Sequence, residues 1–257
     1  MKRLEGKRAL ITGGARGIGG AIAKAYAQEG ARVAIADLLI DDADDLASAI
    51  GSSAIALEMN VTSMESISSG VQAVEEEWGG IDILVNNAGV FDMAPIGEIT
   101  EAMYRRQYDV NVGGTIFVTQ KVVEGMKRRG QGGAILNFAS QAGRRGEPNI
   151  ILYCSAKAAI ISITQSMALE FAKDKIRVNA IAPGVIDTPM WEVVDGLFAK
   201  YDGLQVGEKK QAVGEAVPLG YMGAPDDVAG PAVFLVSDDA DYVTAQTLNV
   251  DGGNWMS

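Results

Sequence analysis

Tyr153 and Lys157 stand four residues apart in the run Tyr-Cys-Ser-Ala-Lys. On a helix, positions i and i+4 share one face a turn apart, which puts an ammonium within electrostatic reach of a phenol. A fixed cation beside a phenol favours the phenolate. A tyrosine, with an unperturbed pKa of about 10, can then give and take a proton nearer neutral pH. The same spacing also describes an ordinary helix surface pair, so the rest of the chain must decide between the two.

The composition removes several alternatives. Among 257 residues there is no His and a single Cys, Cys154. A hydrolase built on an imidazole base is excluded, as is a zinc site built on Cys and His, and no metal-ligating set is expected in the chemistry. Acid–base work falls to Tyr, Lys, Asp or Glu. Cys154 reads as a small buried residue beside Tyr153. The net charge of −11 argues against a nucleic-acid or anionic-membrane partner, because phosphate recognition needs clustered Lys and Arg. No run reaches the roughly 18 to 20 apolar residues of a membrane span. The start, Met-Lys-Arg-Leu-Glu-Gly-Lys-Arg, lacks the apolar stretch of a signal peptide. A cytoplasmic location is the default expectation.

A second locus lies near the start, in Thr-Gly-Gly-Ala-Arg-Gly-Ile-Gly at 12–19. Residues 8–12 form a short apolar run, and Ile18, Ile22, Ala23 and Tyr26 follow at helical spacing, so Gly13, Gly17 and Gly19 occupy a strand-to-helix turn. Side chains there would block approach of a pyrophosphate to the backbone, and the helix N-terminus offers that anion free N–H groups. No Gly-Lys-Ser/Thr is present, so a P-loop is not supported. Asp37 ends the second apolar run, with Leu38 next. A carboxylate at that place accepts from both ribose hydroxyls of adenosine and repels a 2′-phosphate, which selects NAD over NADP. Arg16 works the other way, since a cation in the turn stabilises a 2′-phosphate; Asp37 is taken to decide. Asn60, with Val61, follows the third strand and suits the adenine edge. Asn87, Ala88 and Gly89 follow the fourth and suit the adenosine ribose, although Asn and Gly favour turns in any case.

These residues need a scaffold. Strand signals occur at 8–12, 32–37, 54–59, 81–86, 134–139, 176–182 and 247–250. Helical stretches lie between them, at 42–50, 63–78, 100–129, 153–173 and 225–237. Strands alternating with helices predict an α/β, doubly wound Rossmann fold in one domain: a seven-stranded parallel sheet with helices on both faces. The stretch 100–129 is long enough to need a break, expected near Arg105. Residues 187–217 do not fit the alternation and follow the sixth strand, beside the ligand crevice of such sheets. They read as a substrate lid.

With these pieces placed, the chain resembles the short-chain dehydrogenase/reductase family along essentially its whole length. The matching residues are 12–19, Asn86-Asn87-Ala88-Gly89, Asn111, Ser140, Tyr153 to Lys157, and Pro183-Gly184. The resemblance implies a catalytic set of Asn111, Ser140, Tyr153 and Lys157. In it Tyr153 takes the substrate proton as a hydride leaves the same carbon, and Lys157 lowers the Tyr153 pKa and holds the nicotinamide ribose. Ser140 binds the substrate oxygen, and Asn111 positions a water leading from Lys157 to solvent. It further implies that Pro183, Gly184, Val185 and Thr188 cover the nicotinamide, and that Arg16, Ile18, Leu38 and Val61 join the cofactor set. Homotetramers are usual in the family.

A narrower resemblance involves 140–147, 207–210 and the tail Asn249 to Ser257, which are similar to bacterial sorbitol and galactitol dehydrogenases of this family. It implies oxidation of a hexitol to a ketose. Gln141, Glu147, Asn149, Trp191 and Asn254 could join Ser140 and Tyr153 in binding a chain of hydroxyls, each of which needs a partner because an unmatched buried polar group costs roughly 1 to 3 kcal/mol. The run 187–191, Asn149 and the Asn-Ala-Gly after the fourth strand depart from the polyol pattern. An apolar lid lined by Phe91, Met93, Met190, Trp191 and Phe198 would instead suit a hydroxysteroid, an acyl thioester or another secondary alcohol or ketone. A catalytically idle NAD-binding sensor is a third reading. Trp255 and Met256 are expected to bury against another subunit, and a structural Mg²⁺ near the terminal carboxylate is a further expectation.

Overall fold

The computed structural model describes residues 2–256. Seven parallel strands form one sheet: β1 (Arg8–Thr12), β2 (Arg32–Asp37), β3 (Ala54–Glu58), β4 (Ile83–Asn86), β5 (Gly133–Phe138), β6 (Ile176–Pro183) and β7 (Thr247–Val250). Their order is β3-β2-β1-β4-β5-β6-β7. The connecting helices are α1 (Gly17–Gln28), α2 (Ile40–Ile50), α3 (Met64–Trp78), α4 (Glu101–Tyr108), α5 (Thr115–Arg129), α6 (Ile151–Phe171), α7 (Met190–Asp202), α8 (Glu208–Glu215) and α9 (Pro225–Val236).

Strand alternation explains the two layers. Ala9 and Ile11 of β1, with Ile83 and Val85 of β4, pack into a core shared with α1 and α9. Leu10 and Leu84, between them in sequence, pack into the opposite core with α3 and α5. Both faces of these strands are therefore dry, which is why they read as unbroken apolar runs. Full burial of each Leu, Ile or Val side chain among them contributes about 1.5 to 3 kcal/mol. The chain reverses direction across the sheet between β1 and β4, opening a crevice at their carboxyl ends. The loops after both strands carry the candidate cofactor residues.

Polar groups also cross the core. Asn86 donates through Nδ2 to Thr119 Oγ1 and to Asn137 Oδ1, each at 2.9 Å, and Asn137 Nδ2 donates to Thr164 Oγ1 at 3.0 Å. All four residues are buried. This ladder ties β4 and β5 to α5 and α6, and it fixes the register of the strands that end at the site.

Two expectations need correction, and a third gains detail. The long helix does not break near Arg105: α4 runs to Tyr108, and a π-helical segment, Asp109–Gly114, joins it to α5. The region 187–217, expected as a substrate lid, is largely helical. It holds α7 and α8, and the buried Asp195 of α7 caps α8 by accepting from the backbone N–H of Gly207 and, at 3.0 Å, of Lys210. Finally, α6 with its 3-10 extension to Asp174 is long and apolar enough, by length and composition, to cross a membrane. It reaches that length because one flank packs on β5 and β6 while Leu169 and Ile151 lie exposed on the outside.

Candidate active site

Tyr153 occupies the first turn of α6, where the helix dipole favours negative charge. Burial nevertheless dominates and pushes its pKa up to about 12, against a lowering hydrogen bond from Ser140. Phe91 covers it edge-on, with ring centroids 5.0 Å apart. Lys157, one turn on, is buried, and that burial brings its pKa down to about 8. Its Nζ donates to the Phe138 carbonyl at 2.8 Å and lies 5.6 Å from the Tyr153 ring centroid. The two side chains share a face, yet in this state the ammonium serves the end of β5, and Ser140 is the group that lowers the tyrosine pKa.

Ser140 follows β5 and caps a single 3-10 turn, Gln141–Gly143, its Oγ accepting from Ala142 N at 3.1 Å. That turn rests on α6 at Lys157: a Cβ on Gly143 would meet the Lys157 carbonyl at 2.7 Å. Asn111 sits in the π-helical segment, buried, and grips the loop after β4 with both ends of its amide. Its Oδ1 accepts from Val90 N and its Nδ2 donates to Val90 O, each at 2.9 Å. Gly89 brings that loop beside Lys157, because a Cβ there would lie 3.1 Å from Asn111 Oδ1 and 3.7 Å from Lys157 Nζ. The fold therefore gathers Asn111, Ser140, Tyr153 and Lys157 at the carboxyl ends of β4 and β5.

The glycine turn shows its purpose in what a side chain would strike. A Cβ on Gly13 (φ 61°) would lie 2.8 Å from Ala88 Cα, and one on Gly19 would fall on the Gly13 carbonyl and the Asn87 amide. Asn87 Nδ2 donates to Gly13 O at 2.7 Å, and Ala88 N donates to Thr12 Oγ1 at 3.2 Å, which stitches the loops after β1 and β4 together. Asp37 accepts from Ala15 N and Leu39 N, each at 3.1 Å, so its carboxylate faces the turn. Arg16 is instead drawn outward to Asp42, at 3.3 Å. Leu38 is exposed beside Asp37, and Val61 is buried. Asn60 uses its Oδ1 on Thr62, accepting at 2.9 Å from N and 2.8 Å from Oγ1. Thr188, at the root of the lid, lies over Gly17, whose Cβ would be 3.5 Å away. A cleft of about 320 Å³ runs from Ala15, Arg16 and Gly17 to Pro189 and Pro225; it adjoins the glycine turn rather than Tyr153. The residues present thus fit a dinucleotide, with a bare backbone cradle and a carboxylate at the ribose position.

The expected substrate residues divide. Gln141 and Asn254 meet, with Asn254 Nδ2 donating to Gln141 Oε1 at 2.8 Å. Glu147 pairs with Arg145 at 2.9 Å. Asn149 adopts left-handed φ 64°, which suits its residue type, and its carbonyl accepts from Ala94 N at 2.8 Å. Trp191 belongs to an apolar cluster with Phe91, Met93, Val194 and Phe198 that packs around Tyr153; Met190 points away and is exposed. Trp255 is partly buried under Arg145, 5.4 Å from its guanidinium, while Met256 is almost fully exposed. The tail tryptophan is therefore engaged by its own chain. The terminal carboxylate expected beside Mg²⁺ lies outside the described residues. Sequence reading missed the partners Phe138 O and Val90, and it missed the Asn86–Asn137 ladder. Of these only Asn86 and Asn137 carried a signal, as amides inside apolar strands.

Comparison with known proteins identifies the family. The family model described as enoyl-(acyl carrier protein) reductase matches residues 13–254. The chain belongs to the short-chain dehydrogenase/reductase family. Within that family it is 58% identical to galactitol 2-dehydrogenase of Agrobacterium fabrum, covering 99% of this chain and 100% of that protein. It is 55% identical to sorbitol dehydrogenase of Cereibacter sphaeroides, with the same coverage. The solved 3-ketoacyl-(acyl-carrier-protein) reductase of Brucella melitensis, complexed with NADH, superposes with a TM-score of 0.88 at 34% identity, over 98% of this chain and 100% of that one. This short-chain dehydrogenase is an oxidoreductase of the Rossmann type.

Proposed function

We propose that the protein oxidises a secondary hydroxyl of a hexitol of the sorbitol or galactitol kind to a ketone, with NAD as acceptor. The observation that carries this reading is the Ser140, Tyr153 and Lys157 cluster at the crevice of a chain matched end to end by two enzymes named for those hexitols. The chemistry NAD supplies when bound is acceptance of a hydride. Tyr153 takes the proton of the reacting hydroxyl, so its pKa near 12 must fall when the site fills, and Lys157 is the cation placed to bring it down. Ser140 holds the substrate oxygen as charge develops there. Asn111 keeps the Val90 loop, and with it the Phe91 wall, in place over Tyr153. Asp37 supports NAD over NADP, because its carboxylate faces the turn while Arg16 is held off by Asp42. The exposed Phe117, Leu169 and Tyr242 support a homotetramer.

A second reading has its own observation: the apolar cluster of Phe91, Met93, Trp191 and Phe198 around Tyr153 suits a secondary alcohol with an apolar arm. NADH formation with sorbitol, galactitol, mannitol, xylitol and simple secondary alcohols separates the two, with Tyr153→Phe as control. Hexitol turnover that disappears in Tyr153→Phe, with NADH binding retained, is the expected result. Turnover confined to alcohols without neighbouring hydroxyls would replace the first reading with the second.

A further inference from the structure

The turn after β7 lies across the carboxyl ends of three strands. Asp251 packs on Gly184, where a Cβ would come within 2.5 Å of the Asp251 Cβ. Its carboxylate accepts from Gly253 N at 3.0 Å and from Trp255 N at 2.9 Å, winding 251–255 into a tight loop. Gly252 and Gly253 permit this with φ of 62° and 87°. The winding delivers Asn254 to the turn after β5, where it donates to Gln141. Gln141 directly follows Ser140, about 3.8 Å on along the backbone, so Asn254 is tied to the residue adjoining the one whose hydroxyl meets the reacting oxygen.

Two primary amides joined by one hydrogen bond keep a free carbonyl on one partner and a free NH₂ on the other. Here Asn254 keeps Oδ1 and Gln141 keeps Nε2, and among the described residues neither has a hydrogen-bond partner. Turning both amides over exchanges the two groups and leaves the same count. One acceptor beside one donor is what a single hydroxyl needs, since it donates once and accepts once. A substrate with hydrogen in that place would leave the free carbonyl and the free NH₂ unmatched, which is how a polar site rejects an analogue that lacks the group.

The geometry points to the Gln141–Asn254 pair as the reader of a second hydroxyl, carried close to the reacting carbon, so that the turn after β7 sets substrate choice. This rests on the polyol reading above. The test uses the full chain with NAD and whichever of sorbitol or galactitol the parent oxidises, comparing Asn254→Leu, Gln141→Leu and the double variant. Each single variant is expected to lower kcat/KM for the hexitol about 10- to 100-fold, and the double variant to lose little more than either single. NADH affinity by fluorescence titration should stay at the parent value, which a merely structural role of the turn would not allow. If Asn254→Leu fails to fold, Asn254→Ala carries the same expectation. A kcat/KM within about twofold of the parent, additive losses in the double variant, or an equal loss of NADH affinity would overturn the assignment. A parent that binds NADH but oxidises no polyol overturns the polyol reading itself, a distinct result.

Discussion

Lys157 is expected to make the folded chain less stable than it would be without it, and pH is the variable that exposes this. Burial brings its pKa from 10.5 to about 8, a difference worth about 3 kcal/mol. Below pH 8 both folded and unfolded chains carry the charge, and the folded chain bears the full cost of keeping it out of water. Between about 8 and 10.5 the folded chain has released the proton while the unfolded chain retains it, so stability rises with pH. Met in its place cannot titrate and has similar length. Lys157→Met also removes the 2.8 Å bond to Phe138 O, about 1 to 3 kcal/mol with the ammonium as donor; any weakening of that bond on deprotonation is already contained in the folded-state pKa. The stability of Lys157→Met relative to the parent should therefore decline by about 2 kcal/mol from pH 7 to pH 9.5. Urea unfolding of both proteins at a series of pH values measures it, and all other titrating groups cancel in the difference. A difference that stays flat across this range would refute the claim that Lys157 is held in a dry environment. The same variant should lose oxidation activity.

Two further perturbations probe the cofactor side. Gly19→Ala places a methyl on the Gly13 carbonyl and the Asn87 amide; it should cost about 1 to 3 kcal/mol, read as a lowered thermal midpoint, and should weaken NADH binding in fluorescence titration. Asp37→Ser removes the carboxylate that faces the turn and with it the repulsion of a 2′-phosphate, while Arg16 keeps its pairing with Asp42; kcat/KM should fall with NAD and rise with NADP, shifting the ratio at least about 100-fold.

The sequence showed the sheet well because each strand is a short apolar run bounded by a turn residue, and β1, β2 and β7 fall on the residues expected. It showed the lid badly. No helix is expected at 187–217, yet Gly196 sits inside α7 with open space around it, Gly203 ends that helix in left-handed geometry at φ 69°, and Gly207 opens α8 at φ 96°. The cap that orders α8 is Asp195, a side chain from another helix. Tyr153, Lys157 and the glycine turn were legible because their spacing is local. The Lys157 contact with Phe138 O was not, since a backbone carbonyl carries no mark of residue type. Nor was the Gln141–Asn254 pair, whose members are 113 residues apart and meet only because Asp251 winds the chain back.

The π-helical segment Asp109–Gly114 amounts to one residue more than a regular helix needs. Each residue of an α-helix advances the side-chain direction by about 100°, so the surplus residue rotates α4 against α5 by roughly that angle. Upstream of it, Tyr108 reaches Ser155 on α6; within it, Asn111 grips the Val90 loop; downstream, Val118 and Val122 face the sheet. A regular helix would present only one of these directions correctly. Deleting a single residue there, such as Gly113, would restore ordinary winding and swing Asn111 off its loop, although no atom of the deleted glycine touches the reacting groups. Within this segment the enzyme is sensitive to residue count rather than to residue identity.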